Sequence, residues 1–350
     1  MERKVYKNLY IGQENTDIIV EDGVIASIGK TRETGEDCGG LTARAGLFDT
    51  HAHGCIGYDT MEGHLDEMSA VLGARGITSW LPTTMTMPVE EIAAATAVIP
   101  ETRKGAARVR GFHLEGPFFC EKRKGAQNPA YLKNPTTDLL DVCPNAVLVS
   151  IAPELDGSVD FIRAAVSRGV RVSVGHTDAD YDTALSAIRA GANCLTHTFN
   201  AMPPMLHRAP GPVGAALTGD GYVQVIADGY HLHPAIVLAL YRMFGPDRMI
   251  LISDMIRACG MPDGDYVGGG LPFTVKNGQA RLPDGTINGS TTFLDDIVRR
   301  AISFGIPEED AFRMASETPA RFMGMQCGLL AEGYDAEICL WDELSLVRVL

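Results

Sequence analysis

The chain has 350 residues, of which 45% are hydrophobic and 21% are charged, so it can bury a sizeable core and is neither a disordered chain nor a small disulfide-stapled module. Thirty basic residues against 44 acidic residues give a formal net charge of −14, which disfavours nucleic acid as a partner because no basic patch offsets it. No stretch approaches the roughly 20 apolar residues of a membrane span, so we expect no membrane association.

The first 44 residues read as short strands joined by tight turns. Residues 17–20 and 24–29 are β-rich runs separated by Glu21-Asp22-Gly23. An Asp-Gly step between two such runs is a hairpin signal. The amino-terminal region is therefore predicted to be antiparallel β-structure.

From residue 45 onward, short apolar runs alternate with amphipathic segments, which is typical of βαβ units and a parallel sheet. Strands are predicted at residues 45–51, 77–82, 109–114, 147–152, 171–175, 193–197, 222–227 and 249–253. Helices are predicted between them at residues 65–75, 89–99, 159–168, 181–190 and 234–243. Eight strand–helix repeats over about 250 residues predict a closed (β/α)8 TIM-type barrel. The alternative, a doubly wound open sheet, would favour a G-x-G-x-x-G loop after its first strand, and none is present.

The segment after the eighth strand returns to β-structure. Residues 271–282 read as a hairpin around Asn277-Gly278, helices are predicted at 292–304 and 307–315, and a last strand at 336–341. Because β-rich segments flank the barrel in sequence, we predict a small β-sandwich domain built from both chain termini. The predicted boundaries are 1–44 and 325–350 for this domain and 45–324 for the barrel.

Side chains that can bind metals fall at the carboxyl ends of five predicted strands. These residues are His51, His53, Glu115, His176, His197 and Asp254. Barrel enzymes build their active sites at this end of the strands, so the six side chains are expected to converge. Taken singly, a strand-end histidine is more often structural, and Glu115 or Asp254 could cap a helix. Their coincidence at one end favours a metal centre.

Imidazole and carboxylate ligands without clustered thiolates suit Zn²⁺, Fe²⁺, Mn²⁺ or Co²⁺. A catalytic ion of this kind keeps a coordination position open and lowers the pKa of water there, so hydrolysis is the natural chemistry. Asp254, on the last strand, is the candidate general base and then general acid.

Six local sequences occur in order along nearly the whole chain, at residues 45–54, 113–118, 174–177, 197–204, 227–231 and 253–255. With these motifs the chain resembles the N-acetylglucosamine-6-phosphate deacetylase family of the amidohydrolase superfamily. The segments at 113–118 and 197–204 are the most specific, whereas His51-Ala52-His53 alone would indicate only the superfamily.

The resemblance implies a role for each matching residue. Glu115, His176 and His197 would bind the principal metal, and Asp254 would be the catalytic acid and base. Asn200 and Ala201 would contact the sugar phosphate. His231 and Arg208 would also reach the substrate, with Arg208 supplied by the neighbouring subunit of a homodimer. Gln127 lies where some members carry a histidine near the amide carbonyl, and its amide could still donate a hydrogen bond there.

Members of this family differ at the histidine pair of the first strand, and those that keep it bind two ions. His51 and His53 therefore favour two ions per subunit over one, bridged by Glu115, with Zn²⁺ as the expected ion and Fe²⁺, Mn²⁺ or Co²⁺ as alternatives. The expected reaction deacetylates N-acetyl-D-glucosamine 6-phosphate to D-glucosamine 6-phosphate and acetate in amino-sugar catabolism.

Two other functions are alternatives to this reaction. One is a cyclic-amide hydrolase of the same superfamily, whose relatives use a carboxylated lysine where this chain has Glu115. The other is a non-catalytic scaffold that binds a sugar phosphate, which would have no use for Asp254. The eight cysteines are scattered without C-x-x-C pairs, so reduced thiols and a cytoplasmic location are expected.

Overall fold

The protein is described by a computed structural model that covers residues 2–350. The strands are β1 (Arg3–Ile11), β2 (Glu14–Glu21), β3 (Val24–Ile28), β4 (Glu36–Asp37), β5 (Thr42–Ala45), β6 (Leu47–Ala52), β7 (Gly54–Cys55), β8 (Tyr58–Asp59), β9 (Ile77–Pro82), β10 (Arg108–Val109), β11 (Phe112–Glu115), β12 (Ala146–Ile151), β13 (Arg171–Val174), β14 (Cys194–Leu195), β15 (Tyr222–Val225), β16 (Met249–Leu251), β17 (Gly264–Gly268), β18 (Leu271–Lys276), β19 (Gln279–Arg281), β20 (Ile338–Asp342) and β21 (Ser345–Val349). The helices are α1 (Leu65–Ala74), α2 (Val89–Ala95), α3 (Asp138–Val142), α4 (Ser158–Ser167), α5 (Tyr181–Ala190), α6 (Gly211–Thr218), α7 (Pro234–Phe244), α8 (Leu294–Ser303), α9 (Glu308–Met314) and α10 (Glu317–Met323).

Parallel strands form the centre of a mixed α/β fold, at the places where the sequence predicts strands. β9 pairs with β6 and β10, and the strands from β11 to β16 pair one after another in chain order. Isolated parallel bridges join the two sheets: Thr83 pairs with His113, and Ala52 pairs with Met255. The first bridge connects the end of β9 to β11, and the second connects the segment after β16 back to β6.

The third predicted strand is divided into two. β10 pairs with β9 and β11 pairs with β12, whereas the sequence predicts one strand over residues 109–114. Gly111 lies between them with φ of 124°, a conformation that favours glycine because it has no Cβ. The chain changes its pairing partner at this residue, so Glu115 ends a strand that belongs to the second sheet.

Both ends of the chain contribute to one seven-stranded sheet, with the order β21-β20-β5-β1-β2-β3 and β4 paired to β1. Its core includes Leu9, Ile18, Ile25 and Leu340. The strands are continuous in one sheet, whereas the predicted sandwich would have two. The register of β1 shifts between Tyr6 and Leu9, and such a bulge bends a strand, so that one sheet can curve around a small core.

Several elements are not foreseen by the sequence patterns. Helix α6 is buried from Gly211 to Ala216, so it has no polar face and no amphipathic period. The hairpin predicted at 271–282 is present as β18 and β19, but β17 adds a third strand to it. Within residues 2–350, no helix is both long enough and apolar enough to cross a bilayer.

Candidate active site

The predicted metal-binding side chains meet at the carboxyl ends of the parallel strands. His51 lies near the end of β6, with His53 two residues later, and Glu115 ends β11. His176 and His197 each follow the last residue of β13 and β14 by two positions. All five residues are buried, so their polar atoms must find partners inside the protein.

Glu115 lies between two groups of histidines. Its Oε1 atom is 3.3 Å from Nε2 of His176 and 3.0 Å from Nε2 of His197. On the other side, Oε2 is 3.2 Å from Nε2 of His53, and Oε1 is 3.3 Å from Nε2 of His51. Two three-residue sets that could each hold a metal ion therefore share Glu115.

The outer nitrogens of two of these histidines are held by backbone carbonyls. Nδ1 of His53 is 3.1 Å from the carbonyl oxygen of Thr83, and Nδ1 of His176 is 3.0 Å from that of Arg123. A carbonyl only accepts hydrogen bonds, so Nδ1 of each ring carries a proton and Nε2 is the nitrogen that faces Glu115. This orientation is the one that metal-binding histidines adopt, and the donor set fits a divalent ion.

Asp254 lies beside the first histidine pair. Its Oδ1 atom is 3.4 Å from Nε2 of both His51 and His53. Burial opposes ionisation of Asp254, but the charge of His51 and the hydrogen bond from His53 outweigh it and lower the pKa of Asp254. Burial likewise lowers the pKa of His53, yet its contacts with Asp254 and Glu115 raise that pKa to about 10. Asp254 is therefore ionised at neutral pH, which a general base must be before it accepts a proton.

The backbone is strained where the strands deliver these residues. His176, His197 and Asp254 have φ values of 48°, 28° and 48°. Phe199 and Ala201, in the loop after β14, have φ values of 73° and 51°. Non-glycine residues rarely adopt this left-handed conformation, and it is typically tolerated where function requires it. The strain at five residues around one site supports a functional role for this edge.

Gln127 is buried and contacts the centre of the cluster. Its Nε2 donates to Oε2 of Glu115 at 2.5 Å, and its Oε1 accepts from the backbone nitrogen of Thr86 at 2.8 Å. The structure therefore brings Gln127 to the site, with its amide donor directed at Glu115.

A cavity of about 520 Å³ opens directly onto the cluster. Its wall includes Asn200, Ala201 and His231 from the sequence prediction. His231 is held by Asp228, whose Oδ2 is 2.7 Å from Nδ1 of the imidazole. Apart from Arg208, the predicted substrate-binding residues of this chain therefore lie on one cavity with His53, Glu115, His176 and His197.

Arg208 does not line this cavity within the single chain. It is exposed, and its Nη1 lies 2.8 Å from Nε2 of the adjacent His207. Met205 and Leu206, just before it, are exposed hydrophobic residues with 38% and 54% of their surface accessible. This loop therefore exposes Met205, Leu206 and Arg208 on the surface of the protein.

Sequence reasoning missed several residues of the site. The cavity wall also includes Met85, Lys124, Ile256 and the segment 286–289, whose loops carry no recognisable pattern. His113 packs edge-on against His51, with ring centroids 4.6 Å apart. Its position two residues before Glu115 on β11 places both on one face of the strand, which is a signal that could have identified it.

This site on this fold defines an amidohydrolase, and the model of the amidohydrolase family matches residues 42–348. N-acetylglucosamine-6-phosphate deacetylase of Vibrio furnissii is 36% identical over 96% of this chain and 89% of the relative. The chain belongs to the N-acetylglucosamine-6-phosphate deacetylase family.

Two further comparisons bear on the substrate. N-acetylgalactosamine-6-phosphate deacetylase of Escherichia coli O157:H7 is 35% identical over 92% of this chain and 89% of the relative. A solved structure of a mutant N-acetyl-D-glucosamine-6-phosphate deacetylase from Mycobacterium smegmatis, in complex with N-acetyl-D-glucosamine-6-phosphate, aligns with a TM-score of 0.89 and 32% identity. The alignment covers 99% of this chain and 97% of that one.

Proposed function

We propose that this protein hydrolyses N-acetyl-D-glucosamine 6-phosphate to D-glucosamine 6-phosphate and acetate. The observation that carries this proposal is the position of Asp254, whose Oδ1 lies 3.4 Å from Nε2 of both His51 and His53, at the edge of two candidate metal sites that share Glu115. A carboxylate beside a metal centre can move the proton that amide hydrolysis requires.

Within this proposal, Glu115, His176 and His197 would hold one divalent ion, and His51, His53 and Glu115 would hold a second. When bound, a divalent ion polarises the amide carbonyl and makes water a better nucleophile at neutral pH. Zn²⁺ is the ion that we propose, with Fe²⁺, Mn²⁺ and Co²⁺ as the alternatives that these ligands also suit.

Asp254 performs the proton transfers. Its carboxylate accepts a proton from the water molecule that attacks the amide carbon, and then donates this proton to the departing nitrogen as the carbon–nitrogen bond breaks. An amine leaves poorly unless it is protonated, so the second transfer is required. Gln127, whose amide lies 2.5 Å from Glu115, orients the carbonyl by hydrogen bonding.

Replacement of both His51 and His53 by alanine tests the number of ions. We expect wild-type protein to contain about two ions per chain at saturating Zn²⁺ and the double variant about one, because only the set of Glu115, His176 and His197 remains. Elemental analysis of protein purified without chelator measures this directly. A single ion in the wild type under saturating metal would show that the pair is structural.

Asn200, Ala201 and His231 bind the sugar phosphate in this proposal, and Arg208 of the partner subunit completes the site. The support for a homodimer is the loop at 205–208, which presents Met205, Leu206 and Arg208 outward. A phosphate group needs local cations in a protein of net charge −14, because the overall field repels it.

Replacement of Arg208 by alanine should raise KM for the phosphorylated sugar by at least about tenfold, because a charged hydrogen bond to phosphate is lost. The reaction with unphosphorylated N-acetylglucosamine should change little.

Mixing this variant with the Asp254→Asn variant tests whether Arg208 acts across the subunit boundary. Random exchange of subunits makes half of the dimers mixed, and each mixed dimer has one complete site out of two. The mixture should therefore recover about a quarter of wild-type activity. Equal losses on both sugars would contradict phosphate binding, and no recovery on mixing would contradict a shared site.

We also propose that the parallel strands close into a (β/α)8 barrel over residues 45–324 and that 1–44 with 325–350 form the small domain. The bridges from Thr83 to His113 and from Ala52 to Met255 support closure. The pairing of β5 with β20 supports a domain made from both termini. We place the enzyme in the cytoplasm, which the eight free cysteines suit.

The test of function is release of free amine and acetate from N-acetylglucosamine 6-phosphate by the Zn²⁺-loaded enzyme. N-acetylgalactosamine 6-phosphate, dihydroorotate and unphosphorylated N-acetylglucosamine serve as comparison substrates. Turnover should be highest on N-acetylglucosamine 6-phosphate. Preference for the cyclic amide would instead support a cyclic-amide hydrolase, and binding without turnover would support a non-catalytic scaffold.

A further inference from the structure

His231 is a buried imidazole with one nitrogen held inside the protein and the other left for the cavity. Nδ1 lies 2.7 Å from Oδ2 of Asp228. Within residues 2–350, the hydrogen bond of this ring is made by Nδ1, and His231 lines the cavity that contains the candidate metal-binding cluster. A carboxylate only accepts hydrogen bonds when ionised, so Nδ1 carries a proton.

Asp228 is fixed firmly enough to control this ring. Its Oδ1 accepts hydrogen bonds from the backbone nitrogens of Tyr230 and His231, both at 2.8 Å. Its backbone oxygen accepts a hydrogen bond from Arg300 of α8. Asp228 is only 3% exposed, so water screens its charge weakly and the interaction with the imidazole is strong.

We propose that Asp228 is a positioning residue that holds His231 as a cationic donor, so that the cavity selects the doubly charged phosphate of its substrate. This inference rests on the proposed function, because it assumes that the ligand carries a phosphate. In this inference, Asp228 sets the orientation, tautomer and charge of His231, and His231 is the residue that touches the substrate.

The charged groups around His231 determine whether its pKa is raised or lowered. Burial by itself lowers the pKa of His231, but the hydrogen bond and charge of Asp228 outweigh burial and raise that pKa. Asp254 acts in the same direction, while Arg281 of β19 opposes it. His231 therefore remains protonated to higher pH than an ordinary histidine, and loses its charge only above its raised pKa.

The ionisation of phosphate makes this arrangement selective. A phosphate monoester carries two negative charges above its second pKa of about 6. At neutral pH, an imidazolium that persists can donate a charged hydrogen bond to this dianion, which a neutral imidazole cannot.

Other cations at the cavity are less suited to this task. Lys122 and Arg123 are both paired with Asp178, at 2.5 Å and 2.8 Å. Lys124 also lines the cavity but is half-exposed, where water weakens its charge. Among the described residues on this wall, His231 combines burial, an assigned carboxylate partner and a free ring nitrogen.

The experiment measures binding of two ligands that are not hydrolysed, glucose 6-phosphate and glucose 6-sulfate, to Zn²⁺-loaded enzyme by calorimetry at pH 7.5. The sulfate keeps a single charge at every pH tested. We expect the wild type to bind the phosphate about tenfold more tightly than the sulfate, and Asp228→Asn to lose most of this preference, with the remainder due to Arg208 of the partner subunit. Asp220→Asn, which removes an exposed carboxylate paired with Arg248, is the matched control and should keep the wild-type ratio.

A second readout is the titration of His231, followed by NMR in ligand-free enzyme and assigned with the His231→Gln variant. Its pKa should fall in Asp228→Asn, because the hydrogen bond and charge of Asp228 that raise it are lost. His231→Gln should lose the preference for phosphate over sulfate, which tests the inference even if Asp228→Asn folds poorly.

An unchanged phosphate-to-sulfate ratio in both variants would overturn the proposal, as would an equal loss of affinity for both ligands, which indicates a structural role only. Failure of the proposed function is a separate result, because it would appear as absent acetate release by the wild type, whereas these binding and titration measurements need no turnover.

Discussion

Replacement of Asp254 by asparagine is expected to lower kcat by at least about 100-fold, because general acid–base catalysis typically contributes 10²–10⁴ and asparagine cannot carry the proton. The substitution keeps the size of the side chain, so KM and metal content should change little. Measuring kcat, KM and zinc content on the same preparation separates loss of the proton carrier from loss of metal.

The control for this variant is Asp160→Asn, which removes a carboxylate that is 89% exposed on α4. Its kcat should match that of the wild type. If Asp254→Asn retained kcat within a few-fold of the wild type at full metal occupancy, another residue would have to move the proton.

Replacement of His176 or His197 by alanine should remove the ion bound with Glu115 and lower kcat by at least about 1000-fold, because metal activation contributes several kcal/mol to the transition state. Each alanine leaves Glu115 with one histidine in that set. Zinc content and kcat should fall together, while circular dichroism should show a folded protein.

His64→Ala is the matched control, because His64 is exposed at 47% of its side chain and precedes α1. It should retain both zinc and activity. Wild-type zinc content together with wild-type turnover in the His176 and His197 variants would refute their assignment as ligands.

Much of the candidate site could be predicted because strand periodicity and strand ends are local properties of the sequence. The runs that end near His51, Glu115, His176 and His197 are short and apolar, and parallel strands bring their carboxyl ends to one edge. The three histidine side chains converge around Glu115, which confirms that prediction of proximity.

The features of the fold and the site that the sequence does not predict depend on backbone conformation and on contacts between segments. Gly111 divides the third strand because of a local conformation that apolar patterning does not reveal. Helix α6 has no polar face because it is covered on all sides, and its neighbours are known only from the folded chain. Asp228 was visible within a motif, but its 2.7 Å contact with His231 follows from the turn between them.

The seven-stranded sheet has a consequence for the order in which the chain folds. β5 meets β1 at one residue pair, Tyr10 with Thr42, whereas it pairs with β20 at four. The edge of β5 therefore stays unpaired until residues 338–342 have been synthesised, although β1 to β3 emerge first from the ribosome. During that interval an open strand edge is available to other chains. The chain is therefore exposed to aggregation through the open edge of β5 until β20 has been synthesised and pairs with it.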